Sequence, residues 1–153
     1  MRLVRADGCY FELEVVGYEF PASETEEYDS NWLMIRIDVR HPLGNWSATD
    51  PSLLTYEVGR LADWLDEIRS GSRSQPDEYF TEPNLEFHVV AGDGGEESLR
   101  VCFALECRPP WASHDLSEDE EHFLDFPLAG VDLAGASGSL REQLSRYPQR
   151  AER

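Results

Sequence analysis

Thirty-one carboxylates, four histidines and three cysteines are the side chains of this 153-residue chain that could carry chemistry. Two carboxyl groups about 5 to 9 Å apart suit glycoside hydrolysis. Trp32, Trp46, Trp64 and Trp111 would suit sugar stacking, although Trp is also an ordinary core and rim residue. Abundance alone marks no acid–base pair. His41, His88, His114 and His122 are scattered, with no HxxxH or HExxH spacing and no cysteine beside them at zinc spacing. Cys9, Cys102 and Cys107 form no CxxC pair; on one strand Cys102 and Cys107 would face opposite sides. GxSxG, GxxxxGK and GxGxxG are absent, and the carboxylates of AGDGGEE would repel a phosphate. DLSEDEE lacks the alternating Asp/Asn positions, central Gly and final Glu of a calcium loop. The sequence therefore assigns no catalytic, cofactor-binding or metal-ligating residue, and the expectation is a protein that is not an enzyme.

Charge is the outlying property. The thirteen basic residues are all Arg, and the formal net charge is -18. Such a balance favours solubility and fast capture of basic partners. It argues against nucleic-acid binding, which needs Lys and Arg to neutralise phosphates. Two clusters are candidate partner-binding residues: Glu24, Glu26, Glu27 and Asp29, and later Glu118, Asp119, Glu120 and Glu121. Tyr28, Trp32 and Trp111 are candidate aromatic anchors beside them. The competing reading is that the acids only keep the chain soluble. No apolar run approaches the roughly 18 residues of a membrane span. Arg2, Arg5 and Asp7 precede any apolar run, so a signal-peptide core is not expected and the reduced cytosol is the expected compartment.

These residues need elements to position them. Residues 9–20 alternate, with Phe11, Leu13 and Val15 on one face and Gly17 as a bulge candidate. Residues 31–40 alternate more cleanly through Leu33, Ile35, Ile37 and Val39. After a turn region, with a short return strand through Trp46, Asp50-Pro51 reads as a helix start. Leu54, Val58, Leu61, Leu65 and Ile68 then form one apolar stripe, with Glu57 on the wet side, Trp64 at its border and Gly71 as the stop. Residues 85–91 and 99–107 read as a hairpin, with Leu105 among the inward residues. RPPW breaks that ladder, residues 122–128 suit a last strand, and residues 133–147 a weaker helix. The expected fold is α+β, a mostly antiparallel, sandwich-like sheet with one long helix mid-chain and another at the C-terminus. Residues 1–148 form one domain, and 149–153 a frayed tail.

Four segments carry a resemblance: Tyr10-Phe11-Glu12-Leu13 with Gly17-Tyr18-Glu19-Phe20-Pro21; Tyr28-Asp29-Ser30-Asn31-Trp32-Leu33; Phe80-Thr81-Glu82-Pro83-Asn84-Leu85; and Leu105-Glu106-Cys107-Arg108-Pro109-Pro110-Trp111. In this order, with the helix DPSLLTYEVGRLADWL between the second and third, the chain resembles the WapI family of immunity proteins from about residue 10 to about 148. The resemblance implies a bacterial protein that binds and blocks the toxic C-terminal domain of a contact-delivered toxin, in one case a nuclease acting on tRNA. It implies no catalytic or metal residues and does not name the toxin. A carbohydrate-binding or carbohydrate-active sandwich, or a general protein-interaction domain, are the alternatives that the residues leave open.

Overall fold

Alternation of apolar and polar residues sets the first sheet. β1 (Arg2–Val4), β2 (Tyr10–Tyr18), β3 (Trp32–His41) and β4 (Gly44–Leu54) pair antiparallel in chain order. This comes from a computed structural model that describes residues 1–112 and 122–151. Phe11, Leu13 and Val15 on β2 and Leu33, Ile35, Ile37 and Val39 on β3 are all buried, as a period of two requires. The register shifts between Val15 and Gly17, and Val16 is the extra, outward residue of a bulge.

β4 departs from the sequence reading. Asp50 and Pro51 do not start a helix; they lie in β4, opposite Ile35 and Met34. β4 is an edge strand with a register shift beside Pro51, the setting in which a sheet tolerates a proline. Helix α1 (Thr55–Ser70) begins later, and Leu54, expected on its stripe, is the N-cap. Val58, Leu61, Leu65 and Ile68 are buried, and Gly71 ends the helix at φ 74°. Trp64 is buried too, and its indole N–H donates to the Gln75 carbonyl at 3.0 Å. Glu57 corrects another expectation: it is 2% exposed, not on the wet side. Leucine has no capping oxygen, so Glu57 reaches back and accepts from the Leu54 N–H at 2.9 Å. Its other oxygen accepts from the N–H and hydroxyl of Thr81, at 2.7 and 2.8 Å.

The second sheet is β5 (Asp77–Glu78), β6 (Leu85–Ala91), β7 (Glu97–Phe103) and β8 (His122–Pro127), again antiparallel in chain order. Phe87 faces Val101 and Val89 faces Leu99 across the expected hairpin. β7 stops at Phe103 because β6 begins at Leu85, directly opposite. Leu105–Cys107 form a 3-10 turn instead, and Leu105, expected inward, is 39% exposed at φ 48°. The chain then passes beside the start of β4. Trp46 Nε1 donates to the Cys107 carbonyl at 3.0 Å, and the Trp111 ring lies over Gly44, where a Cβ would meet it at 2.8 Å. Pro109 and Pro110 have no backbone N–H, so this segment does not extend a ladder there.

Phe11 joins the sheets, its ring centroid 5.9 Å from Phe87 and 5.8 Å from Phe103. One apolar cluster contains residues from both sheets and both helices. Helix α2 (Leu133–Arg146) is capped by Asp132, buries Leu140, and joins α1 through Ser137 to Asp66 and Arg141 to Asp63. Its Gln143 continues the edge of β2 beyond the end of β1, accepting from Val15 N–H at 2.6 Å and donating to the Leu13 carbonyl at 3.3 Å. The fold is α+β, two antiparallel four-stranded sheets with two helices, as the sequence indicates.

Glu57→Ala strands the Leu54 and Thr81 donors and is expected to cost about 3 kcal/mol. Urea unfolding measures this; a loss under about 0.5 kcal/mol, the surface norm, would contradict the buried bridge.

Candidate partner-binding surface

Residues 19–31 link β2 to β3 across one end of the first sheet. The chain turns tightly there, Ser30 N–H donating to the Glu26 carbonyl at 3.0 Å and Trp32 N–H to Tyr28 at 3.1 Å. The turn turns Glu24, Glu26 and Asp29 outward and leaves Glu27 half-buried. Phe20 and Tyr28 are 43% and 51% exposed. Beneath them Asn31 is fully buried. Its amide donates to the Glu27 carbonyl at 2.7 Å and accepts from the Thr55 hydroxyl at 2.8 Å, which fixes the loop to the start of α1.

The carboxylates at this end act on one another. Burial holds the Glu19 carboxyl above its ordinary range, and Asp29 and Asp50 push it further. Asp50 is likewise raised, by burial first and then by Glu106 and Glu82, against the opposing hydrogen bond from Asn84. Buried Asn84 donates to Asp50 at 3.2 Å and to Glu106 at 3.1 Å. Among the described residues no ion pair reaches Glu19, Glu24, Glu26, Glu27, Asp29, Asp50, Glu82 or Glu106. Elsewhere Arg2 pairs with Glu12, Arg36 with Asp38, Arg73 with Glu97, Arg100 with Asp125 and Arg141 with Asp63.

The structure brings Glu24, Glu26, Glu27, Tyr28 and Asp29 together. Trp32, the first residue of β3, is half-buried beneath them. Trp111 is 40% exposed and packs on Trp46 with ring centroids 5.4 Å apart. It stands at the other end of β3, beside His41, roughly 30 Å from the loop at strand rise. Glu118, Asp119, Glu120 and Glu121 lie outside the described residues. Glu19, Phe20, Asp50, Glu82 and Glu106 also belong to this end, and none of them is among the partner-binding residues expected from the sequence. Four of them sit inside the four segments that carry the family resemblance, and the local preference of Asp50-Pro51 for a helix start hid the fifth.

Other reactive groups have structural partners. His88 lies between Asp77 and Glu86, at 2.7 and 3.2 Å, and His41 meets the Phe123 carbonyl at 3.0 Å. All three cysteines are free and buried. Burial pushes the Cys107 thiol up to about 12 and raises Cys9, so neither is a thiolate at neutral pH. Among the described residues no group of three or more His, Cys, Asp or Glu is arranged to hold a metal ion, and no helix is long and apolar enough to cross a membrane.

Fold and surface together describe an acidic α+β protein with one end whose carboxylates, among the described residues, meet no arginine and surround exposed aromatic rings. The chain belongs to the immunity protein WapI-like family, whose model matches residues 2–148. That membership points to an immunity function and to interaction with a toxin protein. No curated protein and no solved structure matches the chain.

A carboxyl held above its ordinary range binds its proton more tightly folded than unfolded. Its penalty on stability therefore grows as pH rises through that range and fades below it. Asp50→Asn should raise the thermal midpoint at pH 7, with the gain shrinking toward pH 4. A lower midpoint at pH 7 would mean that the Asn84 contact outweighs the repulsion.

Proposed function

We propose that this protein neutralises a cognate toxin domain in the bacterial cytoplasm by docking its carboxylate-rich end over a basic surface of the toxin, without catalysis of its own. One observation carries the reading: Asp29 and Asp50 both press on Glu19, and Glu106 and Glu82 on Asp50, at an end where Phe20 and Tyr28 stand exposed and no arginine pairs with these acids among the described residues. Clustered like charges cost the free protein stability, and a cationic partner repays that cost. A nuclease toxin fits this chemistry, because it presents Lys and Arg to phosphates. Phe20 and Tyr28 would supply the desolvated anchors that bare carboxylates lack. Glu118, Asp119, Glu120 and Glu121 remain proposed partner-binding acids on their charge alone, and Trp111 would anchor a separate, distant contact.

The partner test is co-expression with the toxin domain encoded beside this protein. The expected result is rescued growth and a complex in a pull-down; neither rescue nor complex would refute the proposal. The site test is kinetic. The association rate should fall steeply from 0.01 M to 0.15 M salt, as the Debye length shrinks from about 30 Å to about 8 Å. Glu24→Lys with Asp29→Lys should slow association about tenfold at low salt. A rate indifferent to salt and to both reversals would move the interface off this end.

A further inference from the structure

The acidic loop is tied down from outside by the end of the chain, whose residues 149–153 read as frayed in the sequence. Tyr18 donates its hydroxyl to the Pro148 carbonyl at 2.6 Å, and its ring meets Tyr147 edge-on at 5.7 Å. The Arg150 guanidinium lies over the same Tyr18 ring, 3.5 Å from its centroid. From there one guanidinium nitrogen donates to the Pro21 carbonyl at 2.8 Å and the Ser23 carbonyl at 2.9 Å. Backbone bonds complete the seat: Arg150 N–H donates to Asn31 Oδ1 at 3.0 Å, and the Ala151 carbonyl accepts from Asn31 Nδ2 at 3.1 Å. Asn31 thus spends its amide on the loop, the start of α1 and the C-terminal segment at once.

We propose that residues 147–151 form a strap that holds the acidic loop in its docking shape, with Arg150 as the positioning residue. The docking part rests on the reading of this end as the partner surface. Arg150 is chemically odd for its place. It is a cation near carboxylates that pair with no arginine among the described residues, yet it bonds backbone carbonyls and an aromatic face rather than any of those acids. It therefore fixes the shape of the loop without neutralising its carboxylates by contact. Charge-assisted bonds to carbonyls and a cation over a tyrosine ring are strong enough to order a short surface segment. An ordered loop also spares the complex the entropy of fixing it on binding.

Charge and shape give opposite signs for Arg150→Ala. Removing a cation makes this end more negative, so steering alone predicts faster capture of a basic partner. The strap predicts slower capture and weaker binding, about tenfold at the equilibrium. Hydrogen exchange of the free protein reads the loop without any partner. Exchange at Ser23, Ser30 and Asn31 should quicken about tenfold, while Leu140 on α2 keeps its protection. Arg150→Lys, which keeps the cation and a donor, should restore most of both effects. Tyr18→Phe, which loses only the Pro148 bond, gives a milder loosening should the alanine variant fail to fold. Unchanged loop exchange in the folded variants would overturn the strap. A loosened loop with wild-type or faster capture of the co-encoded toxin domain would overturn its role in docking. Failure of the wild-type protein to bind that toxin domain would instead count against the immunity reading, leaving the exchange result to decide the strap.

Discussion

Polar groups at the rim of a two-sheet sandwich must find partners where water reaches them poorly, and this chain meets that demand with buried side chains. Gln143 continues the edge of β2, Glu57 caps α1 and holds Thr81, and Asn31 joins three segments. No buried side-chain nitrogen or oxygen among the described residues lacks a partner. The apolar layer centred on Phe11 supplies the bulk of the stabilisation, but it does not specify how loops and helices attach. The buried amides and the Glu57 carboxylate do.

That attachment gives the charge its geometry. Arginines pair with carboxylates on the outer face of the first sheet, along the helix pair and across the second sheet. The β2–β3 loop, the middle of β4, the Asn84 turn and the 3-10 turn after β7 are left with acids that no described arginine meets. Asn84 draws Asp50 and Glu106 toward one amide, which concentrates negative charge that solvation alone would spread. Keeping such a cluster costs stability, a pattern expected where binding rather than folding sets the residue types.

Strands with one wet face were legible in the sequence, because Leu33, Ile35, Ile37 and Val39 permit only one register. So was the stripe of α1. β4 was not: Pro51 and Asp50 have strong local preferences for a helix start, and a long-range edge pairing overrides them. Leu105 misled because it continues the alternation of β7 after its partner strand has ended. Of the candidate site, the loop acids and Tyr28 could be read directly from composition. Asp50, Glu82 and Glu106 could not, since they meet only when Asn84 brings the second sheet to the edge of the first. Arg150 lay in a segment whose composition looks like a loose end, and its anchors, Tyr18 and Asn31, are more than a hundred residues away.

We propose that the partner sits on this acidic end, whose carboxylates meet no arginine among the described residues. Hydrogen–deuterium exchange of the complex with the co-encoded toxin domain tests it most directly. New protection is expected in residues 19–31 and in the turns carrying Glu82 and Glu106, with the outer face of the first sheet around Arg36 unchanged. Protection confined to that face, with the acidic end exchanging as in the free protein, would contradict it.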